Sequence, residues 1–453
     1  MEPFRYHVFA CDQQKPEGVP CCNARGSGQV LDALRRELNT RGLADEVQVT
    51  VCGSLGLCEH GPNLVVYPEG LWYCGVTVAD VAEIVQSHFA ENRPVERLMR
   101  TDPASLRAEI LTNREKMFAA QRARDAAGIL PDDLNDRIRG FQESRVVLTA
   151  LELDLFTAAG DGASAADVAA RLHTDARATE ALLNALAALR LLVKRNDRFV
   201  NSPAAARYFT AGSRDNARPA LLHTAHLWHR WSTLTACVRA GTAVERDEIA
   251  GRGEDWTEAF IAAMHRNASE RAPLVVRTVG AQDVLRLLDV GGGSGAYSIA
   301  FARANPALHA DILDLAAVEP IAQRHIREAG VADRVRVRAG DLRCDALGEG
   351  YDMVFLSAIC HMLDPAQNRD LLRRCMEALR PGGRIVIQDF ILEPDKTSPR
   401  FAALFALNML VGTRGGSSYS EPEYAAWLGE AGFREVHRVR LPGITGLMIG
   451  SRL

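Results

Sequence analysis

The sequence predicts an α/β protein of three parts. These are a small α/β sandwich, a mostly helical middle with a winged-helix pattern, and a C-terminal doubly wound parallel sheet. Three observations predict it. From Leu285 onward, short apolar runs alternate with helical periodicity, as in β-α units laid around a parallel sheet. A glycine-rich turn, Gly291-Gly292-Gly293-Ser294-Gly295, follows the first of those runs. Six of the ten cysteines, Cys11, Cys21, Cys22, Cys52, Cys58 and Cys74, fall within the first 74 of 453 residues, which sets that stretch apart chemically.

Composition narrows the class. Apolar residues make up 47% and charged residues 24%, so the bulk of the chain can bury a core and is not disordered. The net charge is −4 and no Lys/Arg block reaches five residues, which argues against a nucleic-acid or anionic-membrane surface. No apolar run approaches the roughly 18 residues of a membrane span. Met1–Ala10 lacks the basic region and apolar core of a signal peptide, so the expected compartment is the cytoplasm. In a reducing compartment a local cysteine cluster points to metal or redox chemistry rather than to disulfides.

The first part, residues 1–98, reads as β-α-β-β-β-α. Tyr6–Ala10 forms a strand ending at Cys11, and Val30, Leu31, Leu34 and Leu38 recur at helical spacing. Val47, Val49 and Val51 alternate as a strand leading into Cys52. Leu64–Tyr67 and Leu71–Cys74 make a hairpin around Pro68-Glu69-Gly70. Thr77 caps the last helix, with Asp80 in its first turn. Residues 99–136 are charged and read as a linker, helical over Ala104–Ala127. Residues 137–280 are mostly helical. Within them Ser164 caps Ala165–Leu172, Ala178–Leu189 follows, and Leu191–Lys194 and Arg198–Val200 close a winged-helix pattern. Without a basic recognition helix such a module serves dimer contacts rather than DNA.

Residues 281–453 hold the sheet, with strands at Arg286–Val290, His309–Leu313, Val335–Arg338, Met353–Leu356 and Arg384–Ile387. After Asp289-Val290 the turn is G-x-G-x-G, through Gly291, Gly293 and Gly295. It is neither the dinucleotide G-x-G-x-x-G nor a phosphate loop followed by Gly-Lys. Such a turn brings backbone N–H groups up to a ligand at the strand's carboxyl end. Asp314 ends the second strand, 19 residues past Gly295, where a carboxylate can accept both hydroxyls of a ribose. Asp341, with Leu342, ends the third, where it can accept from an adenine amino group.

These residues resemble the Rossmann-type S-adenosylmethionine-dependent methyltransferases. More narrowly, residues 140–453 resemble the plant-like O-methyltransferases with an N-terminal winged-helix dimerisation domain. His226-Leu227-Trp228 with Trp231, Ile359-Cys360-His361, Leu379-Arg380-Pro381-Gly382-Gly383, Gln388-Asp389-Phe390-Ile391-Leu392 and Gly415-Gly416 carry the resemblance. It implies S-adenosyl-L-methionine as cofactor, bound by Asp289, Gly291, Gly293, Gly295, Asp314, Asp341 and Leu342. It also implies a small-molecule acceptor and a homodimer. His361 matches the family's catalytic base and Asp389 an acid that orients it. The second orienting acid of the family is missing from Ser417-Ser418-Tyr419, although Glu421 and Glu423 lie just beyond, and Ser357 replaces a lysine that contacts the cofactor. His223, His226 and His229 read as lining or packing residues of the acceptor pocket, with Met362, Met409 and Leu410 as its apolar part.

At the other end, Cys11 and Cys22 are separated by ten residues and Cys52 and Cys58 by five, each pair on a loop. Four thiolates on two loops suit an iron–sulfur cluster, and neither pair has the C-x2–4-C spacing of a zinc knuckle. His7–Cys11, Gly56-Leu57-Cys58 with Gly61-Pro62, and Val65–Gly70 resemble the thioredoxin-like 2Fe–2S ferredoxins over residues 4–98. The resemblance implies a thioredoxin-like domain and a 2Fe–2S cluster on Cys11, Cys22, Cys52 and Cys58. That family has C-x3-C at the second pair, which places Ser54 where it has cysteine, so Cys52, Ser54 or Cys21 completes the set. The function expected is O-methylation of a hydroxylated aromatic or related small molecule, with a 2Fe–2S module for redox sensing or electron transfer, which could dock a redox partner protein. The alternative is an electron carrier or redox-responsive binding protein on a non-catalytic methyltransferase scaffold.

Overall fold

The protein is described by a computed structural model covering residues 3–15, 19–245 and 254–453, except for the side chains of 254–259, 262 and 263. It forms two compact units, Met1–Phe141 and Gln142–Leu453.

In the first unit the predicted element order is present. It comprises β1 (Tyr6–Cys11), α1 (Ser27–Thr40), β2 (Val47–Cys52), β3 (Leu64–Tyr67), β4 (Leu71–Tyr73) and α2 (Val81–Glu83, widening into a π-helical stretch over Ile84–Ala90). Then come β5 (Met99–Arg100), α3 (Pro103–Ala126) and α4 (Asp132–Glu152), which leads into the second unit. The sheet order is β2-β1-β3-β4-β5, with β1 and β2 parallel and Cys11 opposite Cys52. The expected face of α1 is the buried one, and it packs with Tyr6, Val8, Leu64, Val66 and Phe89. Thr77 and Asp80 form the capping box that their spacing predicts. The two-residue β5 escaped the sequence reading because a pair of residues carries no periodicity; it adds Met99 and Arg100 opposite Tyr73 and Trp72. The charged segment after it is helical as expected. Asp102 caps α3 and Pro103 sits at its start.

The second unit opens with helices: α5 (Leu155–Ala159), α6 (Ala165–Leu172), α7 (Ala176–Ala188), α8 (Pro203–Phe209), α9 (Arg218–Ser232), α10 (Leu234–Ala240) and α11 (Glu254–Val279). Between them β6 (Ala163–Ser164), β7 (Leu192–Arg195) and β8 (Arg198–Asn201) form a small sheet in the order β6-β8-β7. Helix, helix and hairpin follow as the winged-helix pattern requires, and Ser164 caps α6 with Asp167.

The large sheet follows: β9 (Arg286–Val290), α12 (Ala296–Ala304), β10 (His309–Asp314), α13 (Glu319–Glu328), β11 (Val335–Ala339), β12 (Tyr351–Ser357), α14 (Pro365–Ala378), β13 (Leu379–Asp389), α15 (Arg400–Gly412), α16 (Glu421–Glu430), β14 (Arg434–Arg440) and β15 (Gly446–Ser451). Its order is β11-β10-β9-β12-β13-β15-β14. Five strands are parallel; β15 runs antiparallel between β13 and β14. Central strands are buried on both faces, so β9 and β12 read as continuous apolar runs. Strand order reverses between β9 and β12, and the crevice outside their carboxyl ends is where such sheets bind ligands. Among the described residues no helix is long and apolar enough to cross a membrane.

Candidate active site

The turn after β9 is built by its glycines. Gly291, Gly293 and Gly295 have φ of 71°, 55° and 78°, the left-handed region that side chains resist, which accounts for the alternate spacing. Gly292 is needed for another reason: a Cβ there would lie 2.7 Å from Cγ of Asp289. Asp289 is 1% exposed; Ser298 donates to its Oδ2 at 2.7 Å, and Oδ1 has no partner. Burial, aided by the charge of Asp314, pushes its carboxyl up to about 7. Asp314 accepts from the backbone N–H of Gly293 and of Leu315, each at 2.7 Å. It therefore joins the glycine turn to the end of β10, and each oxygen keeps a second lone pair for a ligand. Leu342 reaches the same place, its Cδ2 3.5 Å from where a Cβ of Gly291 would stand. Asp341 is held by Arg343, with contacts of 2.7 to 3.0 Å, and that guanidinium keeps its carboxyl below the usual range.

On the other side of the reversal, a single helical turn, Cys360–Met362, follows β12 and presents His361. Its Nδ1 lies 2.7 Å from Asp389 Oδ1 at the end of β13, and its backbone N–H donates to Oδ2 at 3.2 Å. β12 and β13 are parallel neighbours, with Ser357 opposite Gln388, so the register itself brings the two residues together. His361 is 6% and Asp389 2% exposed. A carboxylate on Nδ1 fixes the tautomer that leaves Nε2 as acceptor, the arrangement of a general base.

Sequence reasoning missed the surroundings of this dyad. Tyr424, from α16, donates to Asp389 Oδ2 at 3.0 Å. Phe405, from α15, meets the His361 ring edge-on at 4.9 Å between centroids and packs against Phe390 and Phe401. The acids just beyond that segment point elsewhere: Glu421 pairs with Arg438, and Glu423 caps Ser420 and holds Lys396. Ser357 bonds Gln388. The three histidines of α9 diverge. His223 packs edge-on against Phe260, whereas His229 is solvent-facing and pairs with Glu245. Trp231, two residues on, donates to Asn408 of α15. Met409 is buried, and Met362 packs at the edge of the core.

The family model described as O-methyltransferase domain matches residues 236–434, and the one described as O-methyltransferase dimerisation domain matches residues 136–211. A 3-hydroxy-5-methyl-1-naphthoate 3-O-methyltransferase of Streptomyces sahachiroi is 36% identical over 332 residues, 71% of this chain and 95% of the relative. The chain belongs to the S-adenosylmethionine-dependent O-methyltransferases. The methyltransferase PigF of Serratia, solved with SAH, aligns at 28% identity and a TM-score of 0.67 over 71% of this chain and all of its own. Human N-acetylserotonin methyltransferase in complex with SAM aligns at 25% identity and a TM-score of 0.62 over 70% of this chain and 96% of its own. The alternative of a non-catalytic scaffold is thereby set aside.

The family models begin at residue 136, so the cysteine-bearing end of this methyltransferase lies outside them. There, among the described residues, no three His, Cys, Asp or Glu side chains are gathered to hold a metal ion, so Cys11, Cys22, Cys52 and Cys58 do not stand as one set. Two pairs form instead. Cys11 and Cys22 act on each other, which lowers the Cys11 thiol and raises that of Cys22. The backbone at Gln13 and Leu55 lowers the Cys11 thiol further. Cys58 Sγ lies 3.2 Å from Ser54 Oγ and 3.1 Å from Lys15 Nζ. Cys52 stays at the strand end beside Cys11 and half-buried, because β2 continues through it and the chain turns only afterwards. Cys21 accepts from the N–H of Ala24. The loop carrying Ser54 and Cys58 rests on α3. Gly56, at φ 85°, lies under Ile110; its carbonyl accepts from Asn113 at 2.9 Å; and His60 pairs with Glu109 at 2.9 Å.

Proposed function

We propose that this methyltransferase methylates a hydroxyl of an aromatic small molecule, with His361 as the base and Asp389 as its orienting acid. The observation that carries this is the buried Nδ1–carboxylate contact at the carboxyl edge of the sheet, beside the glycine turn. Asp289, Gly291, Gly293, Gly295, Asp314, Asp341 and Leu342 would hold S-adenosyl-L-methionine. The unpartnered Asp289 oxygen and the left-handed glycines suit a ligand pressed against the backbone. When bound, the cofactor supplies a sulfonium methyl for in-line transfer. The chain's own residues hold the acceptor on that line and take its proton on Nε2 of His361, which Asp389 keeps turned towards the crevice. Phe390, Phe401 and Phe405 beside the imidazole suit a flat aromatic acceptor, as do the naphthoate and acetylserotonin in the relatives' names. Methyl-labelled cofactor incubated with 3-hydroxy-5-methyl-1-naphthoate and a panel of phenols and quinols tests the reading. Labelled methyl ether is expected; label on no oxygen acceptor would contradict it.

The same reading takes the enzyme as a cytoplasmic homodimer, supported by the dimerisation-domain match and by the exposed Ile138 and Phe141 of α4. It takes the first unit as a thioredoxin-like domain whose 2Fe–2S cluster would be held by Cys11, Cys22 and Cys58, with Cys52, Ser54 or Cys21 in the fourth place. The pairing of Cys11 with Cys22, and of Cys58 with an oxygen donor, supports two ligand pairs at one end of the sheet. Such a cluster would supply one-electron chemistry for redox sensing or for a partner protein.

A further inference from the structure

We infer that Tyr424 is a positioning residue of the catalytic dyad, filling through Asp389 the orienting role for which no acid stands after Gly416. The inference rests on His361 being the base. Tyr424 lies in the first turn of α16 and is 1% exposed. Its hydroxyl donates to Asp389 Oδ2 at 3.0 Å. The same carboxylate accepts from His361 Nδ1 at 2.7 Å and from the backbone N–H of Phe390 at 2.8 Å on Oδ1, and from the His361 N–H at 3.2 Å on Oδ2. Asp389 is thus gripped on both oxygens, and among the described residues the side-chain donors on it are the base and this phenol. Tyr419 and Trp427 pack edge-on against the Tyr424 ring and fix the direction of its hydroxyl. Burial and the neighbouring carboxylate hold the phenol far above its ordinary range, so it stays protonated and stays a donor. Ser418, within the segment expected to carry the second acid, is 3% exposed and its hydroxyl has no partner. One acid and one neutral phenol therefore stand where two acids were expected.

The consequence concerns the proton on His361. The phenol draws on the negative charge of Asp389; without it, more of that charge faces Nδ1–H and favours the imidazolium. The other titratable groups around the dyad are Cys360 in the same turn and Tyr419 ahead of α16, while α15 contributes the uncharged Phe405. Removing the Tyr424 hydroxyl should move the protonation of His361 to higher pH, and with it the acid limb of kcat/KM.

The test is an NMR titration of the His361 ring in 13C-histidine-labelled enzyme, which needs no methyl acceptor. It therefore separates failure of this inference from failure of the proposed acceptor class. Tyr424→Phe should titrate at higher pH, bind S-adenosylmethionine as wild type does, and turn over an aromatic acceptor about tenfold more slowly at pH 7. Tyr419→Phe, which loses an equally buried hydroxyl bond to the carbonyl of Leu363, should titrate as wild type. If Tyr424→Phe fails to fold, 3-fluorotyrosine at position 424, a stronger donor in the same ring, should move the titration to lower pH. Coincident wild-type and variant titrations would overturn the inference, as would an equal displacement in Tyr419→Phe.

Discussion

The two chemically loaded ends of this chain hold their groups differently. At the crevice of the large sheet, His361, Asp389 and Asp314 end or follow strands whose register is fixed by two neighbours. His361 and Asp389 follow adjacent parallel strands, and Asp314 is tied by backbone N–H groups to the turn that it faces. At the cysteine end, the sulfur atoms lie on loops and at strand termini, and among the described residues they are not gathered into a metal-holding group. Sheet register brings the imidazole and the carboxylate together without help from a ligand. The loops leave the thiols apart.

That contrast can be broken or sharpened at several points. The largest effect is expected at the glycine turn. Gly291→Val places a β-branched residue at φ 71°, its Cβ only 2.2 Å from Ile359 Cδ1. S-adenosylmethionine should bind at least about tenfold more weakly by calorimetry, with the fold intact by circular dichroism. At the other end, Cys22→Ala should abolish the iron, acid-labile sulfide and visible absorption of anaerobically purified protein. Ser54→Ala should alter that spectrum only if Ser54 supplies the fourth donor. Colourless wild-type protein after reconstitution would remove the cluster altogether. The smallest effect concerns Asp289. Its carboxyl is raised in the folded state, so its contribution to stability is fully present below the ordinary carboxylate range and is lost as pH climbs towards about 7. Asp289→Asn lacks that loss. Its melting temperature relative to wild type should rise by a few degrees between pH 4 and pH 8, and a difference that does not change with pH would contradict the assignment.

What the sequence made legible follows the same division. Strands β1 to β4, the winged-helix pattern and the five parallel strands were readable because buried strands and amphipathic helices repeat at fixed periods. The glycine turn and Asp314 stood out because each sits at a fixed offset from a strand end, whereas His361 and Asp389 were picked out only by the resemblance to the O-methyltransferases. Tyr424 was not, because its partner is 35 residues away and joins it only through the docking of α16. The aromatic wall on α15 was hidden by its near-uniform apolarity, and β14 by its charges: Arg434-Glu435-Val436-His437-Arg438-Val439-Arg440 shows little that looks like a strand until β15 pairs with it. The linker reading of residues 99–136 predicted the helix α3 but not its docking. Two residues, Ile110 and Asn113, seat it on the cysteine loop through a glycine whose lack of a side chain makes room.

The most direct measurement is a paired one on His361→Ala: calorimetry with S-adenosylmethionine, and methyl transfer to a phenolic acceptor in the same preparation. A general base is worth roughly 10²–10⁴-fold in rate. Transfer should fall by that factor while cofactor affinity stays at the wild-type value. Turnover equal to wild type would mean that the acceptor's proton leaves by another route and that the buried imidazole–carboxylate pair is structural.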